Sequence, residues 1–325
     1  MKGQWRRSGQ VMVMLFATAM AGLAQTTVST SAGRSGRMAY PGAVNYVEGH
    51  ATLDGQALSA SAVGATVVAA NQVIDTSDGY VEVLLTPGAF LRVSHNSEAR
   101  IVSAGLTGVN LELERGSAMV EAAEVVKNSR LEVRMNGATT QIEHKGLYAF
   151  DADRRWVRVL DGKAQVAESA GETTLKKAGE VLLASDQPLE KRDFQIKAAE
   201  EEPLYVWSKV RSRDESQANV NLGNTLATNG GWYGPGWYWD PFWADYAFLP
   251  GAGVLYSPFG WGYYSPGFAY GYGLYGGGYY GGRGYYGRGY YGRGSRAGGV
   301  TTGVRSFQGG GFHGGGGFHG GGGRR

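Results

Sequence analysis

The chain has no cysteine, so disulfides, thiolate metal sites and thiol nucleophiles are excluded. Histidine is nearly as scarce: only His50, His95, His144, His313 and His319 occur, and none belongs to a His-Glu-x-x-His pattern. Gly-x-Ser-x-Gly elbows and phosphate-binding glycine loops are also absent, which removes common hydrolase and nucleotide-binding signatures. Asp151 and Asp153 lie near an expected strand end, where a carboxylate pair for acid–base work could begin. A solvated turn is the simpler reading. His313 and His319 sit in glycine and supply two ligands, whereas a full Cu(II), Ni(II) or Zn(II) site needs about three or four. No catalytic residue, cofactor-binding residue or metal ligand is assigned, and the chain reads as a non-enzyme without a cofactor.

Long apolar runs are missing too. The charge-free stretch at 11–24 has 14 residues, short of the roughly 20 that a helix needs to cross the bilayer core. It follows Lys2, Arg6 and Arg7 and ends in the small-residue sites Ala19-Met20-Ala21 and Gly22-Leu23-Ala24. This is the layout of a cleavable secretory signal peptide over 1–24, with Ala21 and Ala24 as candidate cleavage positions. The expectation is an exported chain, periplasmic or at the cell surface, with no transmembrane span after processing.

From 42 to 185 the sequence is a series of short apolar or alternating runs separated by turn residues. Runs at 67–70, 80–85, 89–93, 99–102, 109–114 and 118–122 read as strands, as do 131–135, 140–144, 147–151, 156–160, 164–168 and 181–184. Asp78-Gly79, Pro87-Gly88, Arg115-Gly116, Asn136-Gly137, Lys145-Gly146 and Asp161-Gly162 supply turns between them. Val109, Leu111 and Leu113 alternate with Asn110, Glu112 and Glu114, the period of a strand with one buried face. The gaps are too short for crossover helices. The predicted fold class is therefore all-β, an antiparallel sandwich or roll of short strands with one connecting α-helix.

Four segments together resemble the FecR domain, a β-rich periplasmic module. They are 72–79, 82–93 (EVLLTPGAFLRV), 111–120 (LELERGSAMV) and 157–166, and the resemblance spans about 46–184. Where the family has a Gly-Thr-x-Phe stretch, this chain has Lys145-Gly146-Leu147-Tyr148-Ala149-Phe150, so the strand keeps its register and the Thr is lost. Signalling members of that family also carry a cytoplasmic sigma-binding segment and a membrane span. Here a signal peptide occupies that place. The resemblance implies an extracytoplasmic binding or sensing module without the sigma-regulating segment.

A helical connector is expected over 200–219, with Pro203 in its first turn and Glu200 to Glu202 against its positive end. Leu204, Trp207 and Val210 or Arg211 form a narrow apolar stripe. That stripe either packs on the β domain or offers Trp207 to a partner. A linker is expected from 219 to 231.

Composition changes near Asn229. Residues 230–325 hold 35 of the 55 Gly, 15 of the 20 Tyr, seven Arg and no Lys. The segment 230–270 interleaves Trp232, Trp237, Trp239 and Trp243 with Gly, Pro and Tyr. It reads either as turns whose rings pack on the β domain or as a sticky surface. Residues 271–325 are low-complexity repeats such as Tyr285-Tyr286-Gly287-Arg288-Gly289 and Tyr290-Tyr291-Gly292-Arg293-Gly294, expected to be disordered because ordering so much glycine is entropically costly. In a cytoplasmic chain such repeats would suggest nucleic acid; export argues against it. Trp207, the four tail tryptophans, Arg288 and Arg293 are the candidate contacts to an envelope protein or polysaccharide. A structural or adhesive surface protein acting through the tail is the alternative reading.

Overall fold

The computed structural model describes residues 36–184 and 188–275. The signal-peptide candidates Ala21 and Ala24, and Arg288, Arg293, His313 and His319, lie outside them. Strands β1 (Val44–Glu48), β2 (Ala51–Leu53) and β3 (Gln56–Leu58) come first. They are followed by β4 (Val73–Thr76), β5 (Tyr80–Leu84), β6 (Ala89–Val93), β7 (Ser97–Gly105), β8 (Gly108–Arg115) and β9 (Ser117–Ala122). Next are β10 (Arg130–Met135), β11 (Ala138–Ile142), β12 (Gly146–Asp151), β13 (Trp156–Asp161), β14 (Lys163–Glu168), β15 (Gly171–Lys176), β16 (Gly179–Leu182) and β17 (Lys191–Asp193). Helices α1 (Ile196–Ala199) and α2 (Pro203–Asn229) precede β18 (Gly236–Asp240), β19 (Asp245–Leu249), β20 (Val254–Tyr256), β21 (Gly262–Tyr264) and α3 (Pro266–Tyr275).

The strands form a sandwich. Sheet one runs β1-β5-β6-β9-β12-β13-β16-β17 and sheet two runs β15-β14-β11-β10-β8-β7-β4-β2-β3. One core lies between them, with Val83, Leu91, Val120, Phe150 and Val159 from sheet one facing Ile74, Ile101, Leu111, Val133 and Val166 from sheet two. The all-β expectation holds. One pairing departs from antiparallel, because β10 lies parallel to β8 from Arg130↔Gly108 to Arg134↔Glu112. Asn136-Gly137 forms the tight turn of the β10–β11 hairpin, with φ of 51° and 83°, the positive pair that a two-residue loop requires.

The two sheets differ in how many faces they bury. Sheet two alternates: in β8, Val109, Leu111 and Leu113 are buried while Asn110 and Glu112 are half-buried. In sheet one, every residue of β6 and of β12 is buried. A sheet covered on both faces reads as a continuous apolar run rather than an alternation. The cover on its outer face is α2 with the segment that follows.

Three expectations are corrected here. The run 67–70 is not a strand; it makes one isolated bridge, Ala43↔Val67, and turns at Asn71 with φ 68°. Two alanines follow the valines, so no β-branched side chain continues the strand. The helix begins at Pro203 and runs through the expected linker to Asn229. Its last turns are weak helix formers, yet Leu222 and Leu226 pack against Tyr238, Ala247 and Leu249, and the Thr225 and Thr228 hydroxyls donate to carbonyls one turn back. Gly230 then ends it at φ 76°, its N–H on the Leu226 carbonyl. Finally, 230–270 contains regular strands: β18 pairs β19 from Gly236↔Leu249 to Asp240↔Asp245, and β20 pairs β21. The compositional break at Asn229 is not a break in packing, because the rings of this segment bury against sheet one.

Candidate functional site: charges buried beneath the C-terminal cover

Three adjacent strands of sheet one each place a charge on its outer face. Glu82 of β5 stands opposite Arg92 of β6, and Glu121 of β9 lies opposite Phe90, the next outward residue of β6. All three side chains are fully buried. Arg92 Nε donates to Glu82 Oε2 at 2.7 Å and Nη1 to Glu121 Oε2 at 2.5 Å. The covering elements complete the cluster. From α2, Arg211 Nη2 reaches Glu82 Oε1 at 3.0 Å, Glu215 Oε1 at 2.7 Å and Asp245 Oδ2 of β19 at 3.4 Å. Ser212 Oγ donates to Glu121 Oε1 at 2.8 Å. Asn45 joins all three layers: its amide donates to Glu82 at 3.1 Å and Glu215 at 2.7 Å, while its oxygen accepts the Tyr246 N–H at 2.8 Å.

Apolar patches flank these charges. On one side Leu84 and Phe90 meet Trp237, Tyr246, Phe248 and Tyr263. On the other, Met119, Leu147 and Trp156 meet Ala199, Leu204 and Tyr205. The cluster thus sits between two hydrophobic contacts and sets where the cover docks.

Four carboxylates share two guanidiniums, so the carboxylates differ in proton affinity. Burial would raise Glu82, but Arg211 and Arg92 outweigh it and hold Glu82 at about 2. Glu215 is raised well above the usual range by burial and by the negative charges of Glu82 and Asp245. Burial pushes Asp245 up to about 6, against the pull of Arg211. Both arginines are held above their ordinary value, because the adjacent carboxylates overcome the cost of burying the cation. Sealed from solvent, this constellation holds the fold rather than meeting a substrate.

The remaining predicted residues are placed as follows. Trp207 lies half-buried between the sheet and the helix, its ring stacked on Tyr80 at 4.8 Å and 14° and its Nε1 donating to Glu48 at 2.9 Å. Trp237 and Trp239 are buried core residues, which corrects their assignment to a partner surface. Trp237 packs edge-on against Phe90 at 4.6 Å, and Trp239 lies under the Arg37 guanidinium at 5.1 Å. Trp232 and Trp243 are half-buried beside the Leu222–Leu226 patch. Asp151 and Asp153 do not form an acid–base pair. Asp151 accepts from Ser117 Oγ and the Arg154 N–H, Asp153 accepts from the Gly116 N–H, and both hold the turns at that end of the sandwich. Asp151 is buried, which corrects the solvated-turn reading for it, whereas Asp153 is exposed in the turn as that reading has it. Among the described residues, no three His, Asp or Glu side chains converge as a metal-binding group.

The cluster residues escaped the sequence reading, although a signal was present. Glu82, Arg92 and Glu121 each interrupt an otherwise apolar run, in YVEVL, AFLRV and SAMVEA. Charges that punctuate strands buried on both faces need partners.

No family model matches the chain, and no curated protein matches it in sequence. Two crystal structures of a "putative anti-sigma factor" from Parabacteroides distasonis ATCC 8503 are similar to it. One is 14% identical with a TM-score of 0.34, covering 39% of this chain and 62% of its own length. The other is 13% identical with a TM-score of 0.34, covering 49% and 73%. This chain thus spans less than two thirds of the first of them.

Proposed function

We infer that the chain is a non-catalytic, extracytoplasmic binding or sensing module built on a FecR-like β sandwich, with a signalling-related role. One observation carries the reading. The four FecR-like segments all fall on strands of one sandwich: 72–79 at β4, 82–93 on the paired β5–β6, and 111–120 and 157–166 each crossing from one sheet to the other, at β8–β9 and β13–β14. The buried cluster of charges is consumed in docking the cover, and open concave surface lies elsewhere, at the start of α2. The partner this module meets is an envelope protein or polysaccharide.

The adhesive alternative keeps one specific support: Tyr233 and Phe242, 83% and 81% exposed, present bare rings on the cover. A pull-down from envelope extract separates the two readings, comparing the full chain with a chain ending at Tyr275. Capture that persists in the shortened chain with Tyr233 and Phe242 replaced by alanine supports the module; capture lost with the cut or with those two rings supports the adhesive reading. Capture by neither chain overturns both.

A further inference from the structure

An open groove of about 580 Å³ lies where α1 meets α2, lined by Lys197, Tyr205, Val206, Lys209, Val210 and Trp261 among others. Its size is within the ~300–1,000 Å³ of small-ligand sites. Val206 and Val210 lie one turn apart on α2 and are 50% and 43% exposed, leaving an apolar strip facing solvent. Beside it are two rings. Tyr205 is braced edge-on by Phe259 at 5.2 Å, and Trp261 is half-buried in the β20–β21 turn.

The charged residues of the groove divide into engaged and free. Arg213 binds Asp214 through Nε at 3.0 Å and Nη2 at 2.8 Å, and Glu200 accepts the Tyr205 hydroxyl at 3.3 Å. Lys197 and Lys209 are exposed, and among the described residues no carboxylate lies within ion-pair distance of either. Glu201 is the other acidic residue on the lining, where the three cations Lys197, Lys209 and Arg213 stand against the two carboxylates Glu200 and Glu201.

We propose that this groove binds an acidic saccharide, with sugar rings against Trp261 and the valine strip and carboxylates on Lys197 and Lys209. The proposal rests on the binding-module reading and names its ligand class. A pyranose ring has an apolar C–H face that suits an aromatic ring beside an aliphatic strip, and polar edges that stay wet. Two long, flexible ammonium groups suit carboxylates spaced along successive sugars. A compact phosphate would favour the planar fork of an arginine, and Arg213 is already committed to Asp214.

The test is calorimetric titration of the full chain with a galacturonic acid hexamer, and with maltohexaose as the neutral probe. The acidic hexamer is expected to bind, at least about tenfold more tightly than the neutral one, and to weaken as salt rises. The Lys197→Ala/Lys209→Ala double variant is expected to lose about tenfold or more in affinity while keeping the wild-type urea midpoint, since both lysines are exposed. Trp261→Ala is expected to weaken both hexamers. Absence of uronate binding at millimolar concentration overturns the proposal, as does binding unchanged in the lysine double variant, which would place it on other cations of the chain. If the same preparation captures an envelope partner yet ignores the uronate, the saccharide proposal falls and the module reading stands.

Discussion

Arg92 and Glu82 face each other across the β5–β6 pairing, joined at 2.7 Å with both side chains wholly removed from solvent. Such a pair adds little net stability, because desolvating two ions offsets their attraction. Arg92 Nη2 and Arg211 Nε even lack a hydrogen-bond acceptor among the described residues. What the charges supply is register. An apolar cover could slide over an apolar face, but only one placement of α2 puts Arg211 on Glu82 and Ser212 on Glu121. Arg92→Met would leave Glu82 and Glu121 short of their cation, and should cost about 3–5 kcal/mol in denaturant unfolding. A loss below about 1 kcal/mol would show that the cover docks on its apolar patches alone.

Stability should also depend on pH through Asp245. This carboxyl faces Arg211, Glu82 and Asp240, with Glu215 on the same guanidinium, and burial raises it to about 6. The folded chain therefore holds this proton at pH values where the unfolded chain has released it, so stability falls as pH rises from about 4 to about 6. Glu215, raised for similar reasons, contributes a fall of the same sign. Glu82 acts with opposite sign: held at about 2 against an ordinary 4.5, it contributes stability that is lost as pH drops below about 4.5. Asp245→Asn should flatten the fall between pH 4 and 6, which at full size is roughly 3 kcal/mol. Melting temperatures of both proteins across pH 4–8 check it, and a slope retained in the Asn variant would refute the assignment.

Much of the sandwich was legible because turns and period-two alternation are local. Val109 to Glu114 announces a half-buried strand, and Asn136-Gly137 announces its hairpin. The cover was harder to read because its cause is distant. Asn224, Thr225 and Thr228 are poor helix formers, and only Tyr238, Ala247 and Leu249, packed on Leu222 and Leu226, keep that turn helical. The glycine-rich look of 230–270 likewise hides strands whose rings are ordered by Leu84 and Phe90 on sheet one. The run AFLRV of β6, apolar but for one residue, already implied a sheet buried on both faces, with Arg92 as the anomaly that required a buried partner.

Trp207 separates a structural from a docking role for the helix. Its ring stacks on Tyr80 and its indole N–H is bound to Glu48. Trp207→Ala should cost about 2–3 kcal/mol, somewhat less than a fully buried tryptophan because one side meets solvent. Trp207→Phe should recover part of the stacking but not the Glu48 bond. An alanine variant with unchanged stability and lost partner capture would instead make Trp207 a docking anchor.

The crossing of α2 and α3 depends on a missing side chain. A Cβ placed on Gly223 would lie 2.7 Å from the Ala269 Cβ, closer than two methyl groups approach. Gly223→Ala should therefore destabilise by about 1–3 kcal/mol despite its better helix propensity. Ala269→Gly in the same chain should restore most of that loss, since the pair is in contact and non-additive. Purely additive losses in the double variant would show that the clash is relieved elsewhere.

Where the chain is cut should matter more than how much is removed. Ending it at Tyr275 preserves every packing contact described for α2 and the two hairpins of the cover. Ending it at Asn229 removes Trp237, Tyr246, Phe248 and Tyr263 from Leu84 and Phe90, and takes Asp245 from Arg211. Burial of aromatic rings is worth about 1.5–3 kcal/mol each, so losing four of them, about 6–12 kcal/mol, is comparable to the whole stability of a typical domain, about 5–15 kcal/mol. The longer chain should unfold cooperatively with the midpoint of the full protein, while the shorter one should be insoluble or bind a hydrophobic dye with no cooperative transition. A shorter chain that melts like the full protein would mean that the sandwich stands without its cover, and that the buried charges serve docking alone.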